Sequence, residues 1–120
     1  MSMVQSQFEF LQDTLKLMDF IMRHGFVITY GEVYRTREQQ QIYFNTGRSK
    51  TMNSRHLERM ALDLNFFLNG RLVNDPEILA PIGRLWMSLN PKNRWGGDWN
   101  RNGDVRDENW HDTPHFERMA

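Results

Sequence analysis

The 120-residue chain contains no cysteine. Disulfides and thiolate metal sites are therefore excluded, and any metal must be held by histidine and carboxylate side chains. An excess of either charge is missing too: Lys plus Arg number 15, and so do Asp plus Glu. That balance lacks the electrostatic footprint of a nucleic-acid binder, so no nucleic-acid partner is expected. No apolar run reaches the roughly 20 residues that a membrane-spanning helix needs, and stable membrane insertion is not expected. The segment from Met1 to Phe10 lacks the basic stretch and apolar run of a secretory leader. Synthesis in the cytoplasm is the expectation. Internal repeats and low-complexity tracts are also absent.

What is present is the composition of a globular protein, with 39% hydrophobic and 25% charged residues. The aromatic residues and eight Met supply bulky and adaptable core material. The length suits one domain over residues 1–120, expected to be a monomer.

Phe8, Leu11, Leu15, Met18 and Met22 recur at steps of three and four, which predicts a first helix with these residues on one face. Gly25 stops it, and Phe26 to Tyr30 reads as a short strand. Thr36 can cap a second helix reaching Gly47, with Gln39 as the reciprocal partner. Arg48 to Arg55 reads as a loop. Met60, Leu62 and Leu64 then alternate with Ala61, Asp63 and Asn65, the period of a strand. Asn69-Gly70 marks a hairpin returning through Arg71 to Val73. Asp75-Pro76 starts a third helix carrying Ile78, Ile82, Leu85, Trp86 and Leu89, which Pro81 could bend or split. Short strands are expected at Arg94 to Asp98 and at His115 to Arg118, around a polar loop. The order of elements predicts an α+β fold with a small, largely antiparallel sheet packed against helices.

Four histidines are available: His24, His56, His111 and His115. His24 falls at the end of the first helix, where a cation suits the helix dipole, and takes no functional role. Asp63, seven residues after His56, is a charge flanked by Leu62 and Leu64. Such a charge needs a partner or a metal if buried, although strand alternation also allows it to face solvent. Trp110-His111-Asp112-Thr113-Pro114-His115-Phe116-Glu117 forms a second polar-aromatic cluster. A zinc hydrolase needs three protein ligands, an open position for water, and a carboxylate to take the proton of that water. His56, Asp63 and His115 could be the ligands and Asp112 the base. A local basic patch of Arg35, Arg37, Arg48, Lys50 and Arg55 is equally compatible with a solvated loop.

In order along the chain stand Tyr34-Arg35-Thr36 with Gln39-Gln40, Ser54-Arg55-His56, Ala61-Leu62-Asp63-Leu64, Trp95-Gly96-Gly97-Asp98 and Asp112-Thr113-Pro114-His115-Phe116-Glu117. This set resembles the VanY-type D-alanyl-D-alanine carboxypeptidases, and within them the branch of phage L-alanyl-D-glutamate endopeptidases. The resemblance implies a hedgehog/DD-peptidase-like fold and a zinc-dependent hydrolase cutting the stem peptide of bacterial peptidoglycan. It implies zinc held by His56, Asp63 and His115, with Asp112 as general base. Arg35 takes the place of a residue that polarises the scissile carbonyl or holds a substrate carboxylate. Ser54 and Gln40 take the places of substrate-contacting residues. The implied setting is a phage or prophage endolysin acting on the cell wall after release from the cytoplasm. Alternatives are a D-alanyl-D-alanine carboxypeptidase on the same fold and a non-catalytic wall-binding or phage structural protein. Arg59 departs from the Gly common at that position, which bears on the loop and on specificity. Glu108-Asn109-Trp110-His111 also fits the form used by VanX-like relatives, a register with His111 as ligand and Glu108 as base.

Overall fold

The computed structural model describes residues 2–120. In chain order it contains helix α1 (Met3–Arg23), strand β1 (Val27–Tyr30), helix α2 (Arg37–Asn45), strands β2 (Ala61–Leu68) and β3 (Arg71–Val73), helix α3 (Pro76–Leu89), and strands β4 (Asn93–Trp95) and β5 (His115–Arg118). Short 3-10 turns lie at Arg55–Glu58 and Val105–Asp107. The antiparallel sheet runs β1-β2-β5-β4, with β3 paired on β2. This is the expected α+β arrangement. β2 is its longest strand and pairs with β1, β3 and β5 along different parts of its length.

Local chemistry accounts for the boundaries. The Thr36 hydroxyl accepts the Gln39 amide and opens α2, and the Asp75 carboxylate accepts the Glu77 amide at 2.9 Å and opens α3. Asn69 and Gly70 both take positive φ, 51° and 75°, as a tight two-residue hairpin requires. Pro81 does not split α3, which continues unbroken to Leu89. Proline removes one ladder hydrogen bond there, and burial of Leu79, Ile82 and Trp86 against the sheet outweighs that loss. Gly83 admits the face of Trp95, because a Cβ there would stand 2.1 Å from the indole.

The core joins Phe10, Leu17 and Ile21 of α1 to Leu62, Leu64 and Phe66 of β2, Trp86 of α3, Trp95 of β4 and Phe116 of β5. The apolar stripe read from the first helix is therefore not the buried one. Phe8, Leu11, Leu15 and Met22 stand 50%, 52%, 61% and 58% exposed. The helix carries a second, adjoining arc of Phe10, Leu17 and Ile21, and a buried ionic contact selects it. Asp13 accepts from the Asn93 side-chain amide at 3.1 Å and pairs with the Arg118 guanidinium, whose Nε donates to Asn93 Oδ1 at 3.0 Å. Turning the Leu15 stripe inward would leave Arg118 buried without its carboxylate, a cost of several kcal/mol at about 3–5.

The two arcs should separate in mutational stability. Leu17→Ala is expected to cost about 2–5 kcal/mol by chemical denaturation, whereas Leu15→Glu should shift stability by no more than about 0.5 kcal/mol.

Candidate metal centre

Strand alternation divides β2 and β5 into two faces. Leu62, Leu64 and Phe116 enter the core, so Ala61, Asp63, His115 and Glu117 project from the opposite side. Antiparallel register sets Asp63 directly opposite His115 and Ala61 opposite Glu117. Directly opposed side chains stand close enough to touch. Asp63 thus faces the imidazole of its neighbour strand, and its charge is only partly open to solvent.

His56 arrives from outside the sheet. The Ser54 hydroxyl caps the 3-10 turn by accepting the His56 amide at 3.2 Å. The segment after β1 folds beside Asp63: the Gly31 amide donates to the Asp63 carbonyl, and the Asp63 amide donates to the Glu32 carbonyl, both at 2.8 Å. A side chain at Gly31 would collide with Asp63, its Cβ lying 2.8 Å from that of Asp63. This close approach delivers the Val33 carbonyl to His56 Nδ1 at 2.8 Å.

His56 Nε2 then lies 3.1 Å from Asp63 Oδ1, and His115 Nδ1 lies 3.3 Å from the same oxygen. The other nitrogen of each ring is already committed. His56 Nδ1–H donates to Val33, and His115 Nε2–H donates to Glu117 Oε1 at 2.7 Å. With those protons in place, the two inward nitrogens of neutral imidazoles and the carboxylate oxygen would turn lone pairs toward one another. Such an array is stable only around a positive charge, a proton or a metal ion. A tetrahedral zinc with bonds near 2.0–2.1 Å separates its ligand atoms by about 3.3 Å. The donor set and its spacing fit such an ion, and these three side chains form a group able to hold one.

The electrostatics agree. Burial alone would raise the Asp63 carboxyl, but hydrogen bonds with His115 and His56 outweigh it and hold the group well below the usual carboxylate range. Burial alone would lower the His115 imidazole, but its hydrogen bonds with Asp63 and Glu117 raise it to about 9. Glu117 is likewise brought down against burial by its bond to His115, and its other oxygen accepts from Arg94 at 2.9 Å. Asp112 moves the other way: withdrawal from water raises its carboxyl. It lines the same cleft of about 540 Å³ as the cluster, together with Arg35, Ser54, Trp99 and Trp110.

Gly96 sets the position of Asp112. The Asp112 amide donates to the Gly96 carbonyl at 2.8 Å, and a Cβ on Gly96 would stand 2.1 Å from the Asp112 carbonyl oxygen. Trp95 is a core residue, its indole N–H donating to the Thr113 carbonyl at 2.8 Å. The glycines after it therefore serve close packing of the chain on itself.

Other residues singled out from the sequence take different places. Arg35 reaches the cleft with its fork spent on Glu32, at 3.2 and 2.9 Å, and another arm on Gln40 at 2.9 Å. Gln40 is fully buried and is not among the residues that line the cleft. Its amide oxygen accepts from Arg35 and its nitrogen donates to Ser49 Oγ and the Thr51 carbonyl, so it positions Arg35 and ties down the following loop. Arg59 adopts φ 57°, the left-handed region that explains a preference for Gly, and its guanidinium lies over Tyr34 and not in the cleft. His111 donates to the Val105 carbonyl at 2.7 Å and stays outside the cluster. Glu108 belongs to a separate acidic group with Asp98 and Asp107, where it accepts the Asn100 amide. The Glu108–His111 register is thus not assembled at the His56–Asp63–His115 site.

The sequence reading gave no role to Glu117, Glu32 or the Val33 carbonyl. Glu117 was detectable, because it lies two residues after His115 on a strand and shares its face. The other two depend on the fold of the 31–35 segment alone.

Fold and site together define a small α+β protein in which two histidines and one carboxylate, from the sheet and the turn beside it, form a group that could hold a metal. The chain belongs to the phage L-alanyl-D-glutamate peptidase family, whose profile matches residues 15–119. It is 34% identical over 86 residues to an L-alanyl-D-glutamate peptidase of Listeria phage A118. That match takes in 70% of this chain but spans only 30% of the Listeria phage protein. The fold is similar to the crystal structure of an L-Ala D-Glu endopeptidase of Serratia marcescens, with a TM-score of 0.62 at 23% identity over 90% of this chain and 79% of that one.

Two outcomes are expected from this geometry. Glu117→Gln should weaken zinc binding by about 10–100-fold in a chelator competition, since the carboxylate orients the His115 ring. In the metal-free protein His115 is protonated up to about pH 9. A metal must displace that proton, so zinc affinity should rise about tenfold per pH unit toward pH 9 and flatten above it. Isothermal titration in buffers of different ionisation enthalpy will show the released proton.

Proposed function

We propose that the chain is a zinc-dependent peptidase of bacterial peptidoglycan that cuts the stem peptide between L-alanine and D-glutamate, in the manner of a phage endolysin. The observation that carries this reading is the convergence of His56 Nε2, Asp63 Oδ1 and His115 Nδ1 in the cleft that Asp112 lines. Membership of the peptidase family supports the choice of substrate.

His56, Asp63 and His115 are the residues that would hold the metal. When bound, zinc supplies a Lewis acid and lowers the pKa of coordinated water toward neutrality. Asp112 is the general base: its carboxylate accepts a proton from the attacking water and delivers it to the leaving amine nitrogen. Its raised pKa suits both halves of that transfer. Arg35, fixed by Glu32 and Gln40, sets a permanent positive charge beside the cleft. By count of its donors one N–H on Nη2 remains for an oxyanion or a substrate carbonyl. Glu117 keeps His115 in the tautomer and orientation that coordination needs. Ser54 shapes the turn that carries His56 and reaches Arg35 at 3.5 Å. No helix among the described residues is long and apolar enough to cross a membrane.

Digestion of purified peptidoglycan, with new termini identified by mass spectrometry, tests the activity. Fragments ending in alanine and beginning with glutamate are expected; released D-alanine would identify a carboxypeptidase, and no new termini a wall-binding protein. Asp112→Asn should retain one zinc per chain yet lose about 100-fold or more in kcat. Full activity in that variant would remove Asp112 from the role of base.

A further inference from the structure

Five basic residues line the cleft: Arg35, Arg48, Lys50, Arg55 and Arg94. Three are ion-paired within the fold. Arg35 is held by Glu32, Arg55 by Glu58, and Arg94 by Glu117. Arg48 and Lys50 have neither an ion-pair nor a hydrogen-bond partner among the described residues, and both are exposed.

Both are nevertheless held in place by aromatic faces. The Arg48 guanidinium lies 4.7 Å from the centre of the Tyr43 ring, over which Arg35 also lies at 4.7 Å. Lys50 Nζ lies 5.7 Å from the Trp110 ring. Trp110 stacks on Trp99 at 5.4 Å with 5° between the planes, and Trp99 in turn meets the His115 ring at 5.6 Å. Two stacked rings thus link Lys50 to His115, and the Tyr43 ring links Arg48 to Arg35. The intervening residues are tied from beneath: buried Gln40 donates to Ser49 Oγ at 2.9 Å and to the Thr51 carbonyl at 2.6 Å. A cation on a ring face keeps its N–H donors turned outward for another acceptor.

The substrate class supplies such an acceptor. Glutamate on the leaving side of the scissile bond has two carboxyl groups, and only one can continue the peptide. The other remains a free carboxylate a few bonds from the scissile nitrogen. We propose that Arg48 and Lys50 form the subsite for this carboxylate, and that the cleft therefore discriminates glutamate from its amidated form. This rests on the endopeptidase reading above. Both cations act as charge-assisted donors to a group that does not react, so they contribute equally to ground-state and transition-state binding. Their loss should appear in KM and not in kcat.

The test compares two synthetic stem peptides, one with a free glutamate carboxylate and one with that carboxylate amidated, on the zinc-loaded protein. For the wild type, KM should be about tenfold lower on the free acid. The double variant Arg48→Gln/Lys50→Gln should lose that preference, raising KM on the free acid about tenfold with kcat nearly unchanged, and the charge-conserving pair Arg48→Lys/Lys50→Arg should restore most of it. Matching thermal melts establish that the variants fold. Equal loss on both peptides would overturn the proposal, because the loop would then only shape the cleft. No loss on either would overturn it as well. If the wild type cuts neither peptide, the endopeptidase reading fails and the subsite falls with it.

Discussion

The antiparallel register between β2 and β5 is the constraint on which the site depends. It sets Asp63 opposite His115, and alternation sends Leu62, Leu64 and Phe116 to the other face. One pairing thus builds part of the core and brings together two of the three candidate ligands. A slip of one residue would exchange the faces, burying the charges and exposing the hydrophobes. The remaining candidate ligand, His56, is brought in by a loop whose position is set through backbone groups, the Val33 carbonyl and the Glu32–Asp63 pairing. Facing lone pairs make the cluster unfavourable unless a positive charge occupies it, so the fold stores there a local demand for a cation.

Around this centre the buried polar groups act as fasteners. Asp13, Asn93 and Arg118 join α1 to β4 and β5 in a region away from solvent, and leaving any one unpaired would be costly. Glu32, Arg35 and Gln40 make a second such chain under the cleft, extended by Ser49 and Thr51 into the loop that carries Arg48 and Lys50. Each network satisfies most of its donors, which is what gives side chains a single orientation in place of several. Glycine serves the same end by subtraction: Gly31 and Gly96 permit backbone segments to lie against Asp63 and Asp112.

Much of the fold was legible in the chain. Asn69-Gly70, Asp75-Pro76 and Thr36 mark turns and caps through local chemistry, and each structural boundary falls beside them. The strand period from Met60 to Asn65 was equally plain. The buried face of α1 was not, since that helix has two adjoining apolar arcs and only Asp13, seeking Arg118 far away in sequence, chooses between them. The effect of Pro81 and the orientation of Gln40 were open for a related reason. A proline costs a fixed local amount, and whether the helix survives depends on the packing it meets. A glutamine five residues after Arg35 can face solvent or the interior, and sequence spacing does not distinguish them.

By itself the sequence determined which chemistry was available: no thiolate, few histidines, and carboxylates at spacings that a metal hydrolase can use. It also marked the starts of α2 and α3 and the β2–β3 turn, which depend on neighbours in the chain, whereas the strand expected over Arg94 to Asp98 spans Asn93–Trp95 and the helix expected to reach Gly47 ends at Asn45. Tertiary structure alone decided that His115 and not His111 meets His56 and Asp63. It alone decided which cations in the basic stretch are already ion-paired. The physical reason is the same in each case. Coordination, ion pairing and desolvation act over a few ångströms in space, between residues as far apart as 56 and 115, and their outcome depends on how strands pair.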